Sequence, residues 1–234
     1  MPMKPIACLM ASFVLSSAAM AQTVITVNNA SARYNAKITA KCESAHFHGE
    51  AKIQLLEKER NRAVQTFSSK DFIVQLDSNW KEGDKKAGIA DNQQPLVFDD
   101  FNFDGEEDVA IRNGNNGSYG GPSYDVYVYN TAKKAFVADK MLTRLASENL
   151  GMFETDRFRK QLTVHQKSGC CWHSTITYGL QPGRGLTKVA EVVEEADAGG
   201  DMVTVTTSQL VNGKMKKSVQ RYKAQEYYKE KEAH

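Results

Sequence analysis

The sequence predicts an all-β protein: antiparallel sheets in a compact propeller-like or sandwich arrangement, one domain behind a cleaved signal peptide. Three observations carry that reading. Short runs of alternating apolar and polar residues recur along the chain. Turn residues punctuate them, and few stretches show a helical period. The length of 234 residues, with 41% apolar and 25% charged side chains, suits one domain with a real core.

The chain begins with a processing signal over residues 1–21. Lys4 supplies a positive start, "PIACLMASFVLSSA" an apolar run too short to span a bilayer, and Ala19-Met20-Ala21 a small-x-small cleavage pattern before Gln22. Cys8 lies inside the apolar run, so no lipid or other membrane anchor is expected. The expected location is the periplasm, and 22–234 is the mature β-rich domain. A formal net charge of +2 gives no reason to expect nucleic acid as a partner.

The strands follow in order. In "YNAKITAKC", Tyr34, Ala36, Ile38, Ala40 and Cys42 share one face and Lys37, Thr39 and Lys41 the other, a half-buried antiparallel strand. "AKIQL", "DFIVQL", "PLVF", "EDVAI", "YDVYVY", "QLTVH", "HSTITYGL" and "DMVTVTTSQLV" read as further strands. Asn212-Gly213 joins the last of these to "KMKKSV" as a hairpin. "KMLTRLASENL" reads as a short helix or an irregular connection. The charged end from about residue 222, "AQEYYKEKEAH", reads as a frayed solvated tail.

Between "PLVF" and "DVAI" the chain places Asp100, Asn102, Asp104, Gly105 and Asp108 in the pattern D-x-[DN]-x-D-G-x-x-D. Oxygen ligands at alternate positions of a loop turned sharply by glycine suit calcium, which takes six to eight oxygens at flexible angles. Asp100, Asn102, Asp104 and Asp108 would offer side chains, and Glu106 its carbonyl. The loop is not an EF-hand, because its twelfth position is Ile111. Calcium here would fix a hairpin turn rather than do chemistry.

One strand later comes a glycine-rich loop, Gly117-Ser118-Tyr119-Gly120-Gly121-Pro122-Ser123-Tyr124. It lacks the Gly-Lys-[Ser/Thr] of a phosphate loop. Tyrosine, serine and glycine together suit recognition, combining rigid amphipathic area with adaptable hydrogen bonding. The alternatives are a plain turn, or Tyr124 as the core residue that starts the next strand.

Three cysteines follow the cleavage site. In "VHQKSGCCWH", strand parity sends Cys170 toward a core, as it does Cys42. A Cys42–Cys170 disulfide is therefore expected, with Cys42–Cys171 the alternative and a Cys170–Cys171 ring disfavoured for the strain it puts on one peptide. His165 and His173 beside the cysteines, with His46 and His48, match no common zinc spacing.

"FDDFNFDGEEDVAI", "GNNGSYGGPSYDVYVYN", "SENLGMF" and "SGCCWH" together resemble a family of exported bacterial proteins with a calcium-binding, propeller-like β domain. That family includes an immunity protein against a lysozyme-like type IV secretion effector, and is similar to the periplasmic inhibitors of invertebrate-type lysozyme. In those inhibitors a Ser-Gly-x-x-Tyr loop enters the enzyme's cleft. Here Ser118, Gly120, Gly121 and Tyr124 match in part, and Tyr119 follows the serine directly. The resemblance covers Phe98 to Leu180 best. It implies an inhibitor or immunity protein whose partner is a lysozyme-like muramidase or secreted effector, with Ca2+ as structural ion. The alternative is a non-inhibitory calcium-binding envelope module that recognises glycan or protein. No Ser/His/Asp order or spaced carboxylate pair stands apart from the acidic loop, so an enzyme is not expected.

Overall fold

The computed structural model describes residues 22–91 and 93–232. The segment read as a signal peptide lies outside them. Among the described residues fifteen strands form three sheets, and each sheet is built from a contiguous stretch of chain. The first holds β1 (Thr23–Val27), β2 (Tyr34–Ala40), β3 (His46–Glu57), β4 (Arg62–Gln75) and the two-residue β5 (Lys86–Ala87), in the order β4-β3-β2-β1-β5. Its strands pair antiparallel except that β5 runs parallel to β1. The second is a meander of β6 (Leu96–Asp99), β7 (Asp108–Arg112), β8 (Tyr124–Asn130) and β9 (Ala135–Ala138). The third is a longer meander of β10 (Glu154–Asp156), β11 (Gln161–Ser168), β12 (Trp172–Gln181), β13 (Gly185–Ala196), β14 (Met202–Val211) and β15 (Lys214–Lys223). The architecture is all-β, as expected.

The middle sheet is covered on both faces. Pleating sends alternate residues to opposite sides. Val109, Ile111, Leu96 and Phe136 join Ile25, Ala36, Ile38, Ile53, Leu55, Phe72 and Val74 of the first sheet in one core. Ala110, Tyr124 and Val126 face the other way, into a second core with Leu162, Val164 and Ile176 of the third sheet. This is why Val109-Ala110-Ile111 of β7 reads as a continuous apolar run rather than an alternation. In β2 the expected alternation holds: Tyr34, Ala36, Ile38 and Ala40 are buried, and Cys42 follows them into the same core.

The described residues also form two α-helices. α1 (Lys140–Leu145) is capped by the Asp139 carboxylate, which accepts from the Leu142 N–H, and it buries Leu142 and Leu145 in the second core. α2 (Ala224–Glu232) corrects the expectation of a frayed tail. It is held to β13 by the buried carboxylate of Glu194, which accepts from the Tyr227 hydroxyl and pairs with Lys231 at 2.6 Å. No helix among the described residues is long and apolar enough to cross a membrane.

Candidate functional site

The acidic segment is the connection of the β6–β7 hairpin, whose last pair is Asp99↔Asp108. Gly105 sits at φ 95° and Phe103 at φ 62°, so the chain turns twice through the left-handed region. The loop's own N–H groups are drawn to its acidic side chains. Asp104 N–H donates to Asp100 Oδ1 and Asn102 Oδ1, both at 3.0 Å, Gly105 N–H to Asp100 Oδ2 at 2.9 Å, and Glu106 N–H to Asp104 Oδ1 at 2.9 Å. Phe101 and Phe103 pin the loop into the second core.

Asp108 differs from the others, being fully buried. Its two oxygens accept from Phe101 N–H (2.9 Å) and Tyr129 N–H (2.8 Å), so it ties the loop to β8. Burial, with a smaller contribution from the Asp104 charge, pushes its carboxyl up to about 7, against the pull of those N–H groups. The donor set is oxygen only, which is the chemistry calcium requires. The side chains face the loop's backbone rather than one point: among the described residues, no group of three or more His, Cys, Asp or Glu is placed to hold a metal ion.

The glycine-rich loop leaves β7 and returns into β8. Asn113 N–H donates to Ser123 O and Ser123 N–H to Gly114 O, which extends the ladder beyond the strands. Asn116 N–H then donates to the Ser123 hydroxyl, and Gly117 N–H to Gly121 O, closing the base of a tight tip. The tip is one 3-10 turn, Ser118–Gly120, with Tyr119 in the left-handed region at φ 57°, ψ 30°. A β-carbon on Gly117 would lie 2.9 Å from Gly121 O and 3.1 Å from Asn149 O, both main chain, so only glycine fits there.

Three segments that the sequence separates meet at this tip. Ser118 N–H donates to Asn149 O at 3.0 Å. Asn149 is itself buried, its amide donating to Leu145 O and accepting from Gln166, both at 2.8 Å. From the β11–β12 hairpin, Gly169 N–H donates to the Tyr119 hydroxyl, and the Lys167 ammonium stands 4.5 Å from the centre of the Tyr119 ring. Tyr119 is nonetheless 62% exposed, and Leu150, which follows Asn149 in the chain, is exposed as well. Among the eight loop residues, Gly117, Ser123 and Tyr124 are buried and belong to the scaffold. The Tyr124 ring is in the second core. Ser118, Tyr119 and Gly120, with Pro122 at the flank, form the presented surface. Asn149, the joint of the site, had no signal in the sequence beyond its place in "SENLGMF".

The cysteine expectation is overturned. Cys170 and Cys171 are joined to each other, and Cys42 is a free, buried thiol. Cys42 packs in the first core, whereas Cys170 and Cys171 sit in the turn between β11 and β12 of the third sheet. Residues 169–171 are turn, with Gly169 at φ 65°, so strand parity does not carry through them and the two neighbours are not sent to opposite faces. The resulting ring adjoins Gly169, whose N–H holds Tyr119. His48 contacts Asp71 and His46 lies 3.1 Å from Gln75 Oε1, both on the first sheet, whereas Cys170 and Cys171 belong to the third.

The fold defines a three-sheet all-β protein with a loop site at the middle sheet. A solved structure of a Xanthomonas type IV secretion system related protein has the same fold: TM-score 0.59, 20% sequence identity, covering 86% of this chain and 94% of that one. No family model matches the chain, and no curated protein matches it.

Proposed function

We propose that this is an exported, calcium-stabilised binding protein that inhibits a lysozyme-like peptidoglycan hydrolase by presenting the Ser118-Tyr119-Gly120 tip to its cleft. One observation carries the reading: a single exposed tyrosine, on a tip of left-handed backbone, is braced by Asn149 and by the β11–β12 turn. A braced loop loses little conformational entropy on docking, and a tyrosine with a free flank is a typical interface anchor. The fold shared with a protein related to a type IV secretion system supports the reading, as does the resemblance to periplasmic lysozyme inhibitors. In this reading the protein works in the periplasm, and its partner is a muramidase or a secreted effector of that class. Calcium would be held by the side chains of Asp100, Asn102, Asp104 and Asp108 and the Glu106 carbonyl. Its contribution would be to stiffen the hairpin that leads into β7, and so the base of the tip.

The test is lysis of peptidoglycan by a lysozyme-like effector against increasing inhibitor. Tyr119→Ala should weaken inhibition by roughly 30-fold, corresponding to about 2 kcal/mol of lost anchor. Ser118→Ala should weaken it less, with melting temperature and calcium response unchanged in both. Undiminished inhibition by both variants would place the binding surface elsewhere. Binding of peptidoglycan fragments without inhibition would favour a glycan-recognising envelope module instead.

A further inference from the structure

The third sheet ends in an open edge. β15 is the last strand in the sheet order, and all ten of its residues are exposed. The register is set by the two-residue turn Asn212-Gly213, at φ 52° and 76°, which pairs Val211 with Lys214. In such a hairpin the residues flanking the turn form a hydrogen-bonded pair, and pairing alternates from there. The N–H and C=O groups of Lys214, Lys216, Ser218, Gln220 and Tyr222 therefore point to β14. Those of Met215, Lys217, Val219 and Arg221 point away from the sheet, and no described residue pairs with their main chain.

The side chains say what this edge admits. Lys214, Lys216, Lys217, Arg221 and Lys223 are cationic, and no acidic residue lies in 214–223. Arg221 pairs with Asp197 and Lys223 with Glu226, whereas Lys214, Lys216 and Lys217 have no ion-pair partner among the described residues. Met215, Val219 and Tyr222 are large apolar residues left exposed on the same strand. A second copy is a poor occupant, because pairing β15 with itself sets five cations against five. We propose that the β15 edge is a docking site for an acidic, extended peptide segment, which adds as a seventh strand. Main-chain bonds to Met215, Lys217, Val219 and Arg221 would give the register. Carboxylates would sit over Lys214 and Lys216 on one face of the strand, and apolar side chains over Met215, Val219 and the aliphatic stem of Lys217 on the other.

The probe is a synthetic decapeptide of alternating Glu and Val, titrated into the calcium-loaded mature chain and followed by backbone amide NMR. Shifts should concentrate on β15, and binding should weaken with added salt. A Glu-Pro repeat carries the same charge but cannot form a strand, and it should bind at least tenfold more weakly. Val219→Pro removes one outward N–H without changing charge and should also cost tenfold or more. Lys214→Glu with Lys216→Glu, on one face, should lose the Glu-Val peptide and gain a Lys-Val one. This pair is fully exposed and keeps the proposal testable if the proline variant misfolds. Equal binding of the Glu-Val and Glu-Pro peptides would overturn the proposal in favour of a merely cationic surface. Shifts centred on another element, or no binding of the Glu-Val peptide, would overturn it as well.

Discussion

Both carboxylate oxygens of Asp108 are taken by main-chain N–H groups, those of Phe101 and Tyr129, where water does not reach. Asp104, four residues earlier, is exposed and bonds only within the loop. The two should respond differently to substitution. Asp108→Ala leaves two buried donors unpaired and should cost about 3 kcal/mol of stability even without calcium, read from urea unfolding of the calcium-free protein. Asp104→Ala should leave calcium-free stability near that of the wild type but abolish the response to the ion. Calcium at a hundredfold excess over Kd should stabilise the wild type by about 2.7 kcal/mol. A melting temperature of Asp104→Ala that still rises with calcium as in the wild type would remove the ion from this loop.

Elements meet through a few buried polar joints. Asn149 links the glycine-rich tip to α1 and β11, and Glu194 links α2 to β13. At Glu194 burial works against ionisation, but the Lys231 ammonium and the Tyr227 hydroxyl outweigh it and hold the carboxyl below its ordinary value of 4.5. A depressed native pKa stabilises the folded form above the unfolded pKa, and that contribution is lost as pH falls through the native one. Docking of α2 should therefore be intact at neutral pH and weaken only below about pH 4.5. Hydrogen exchange over residues 224–232, measured down an acid series, should show the release, and Glu194→Gln should already show it at neutral pH. Unchanged protection of α2 in that variant would mean that packing of Ala224 and Tyr227 alone holds the helix.

At the scale of the molecule the middle sheet is shared, because successive residues of β7 serve two cores. Ile111→Ala should cost about 2–5 kcal/mol by opening a cavity in the first core. Since β7 also carries Ala110 of the second core, amides of β2 and β11 should lose protection together, in one transition. Separate transitions would show that the third sheet is an independent folding unit.

The strand character of Tyr34–Ala40, the hairpin around the acidic loop and the Asn212-Gly213 turn were legible in the sequence, because alternation, turn chemistry and residue type are local properties. β13 was missed: "GLTKVAEVVEEA" does not alternate cleanly, and its register shifts against β12 at Thr177/Tyr178. The oxygen-rich loop could be read from spacing alone, but not the separate role of Asp108, which depends on Tyr129 reaching it from β8. The glycine-rich segment announced itself by composition. Tertiary contacts decided which of its residues are presented, since burial of Ser123 and Tyr124 and exposure of Tyr119 follow from where α1 and β11 pack. The disulfide and the open β15 edge were set at the same level. Which cysteines meet depends on a turn that breaks strand parity, and a strand becomes an edge only when no further strand follows it in space.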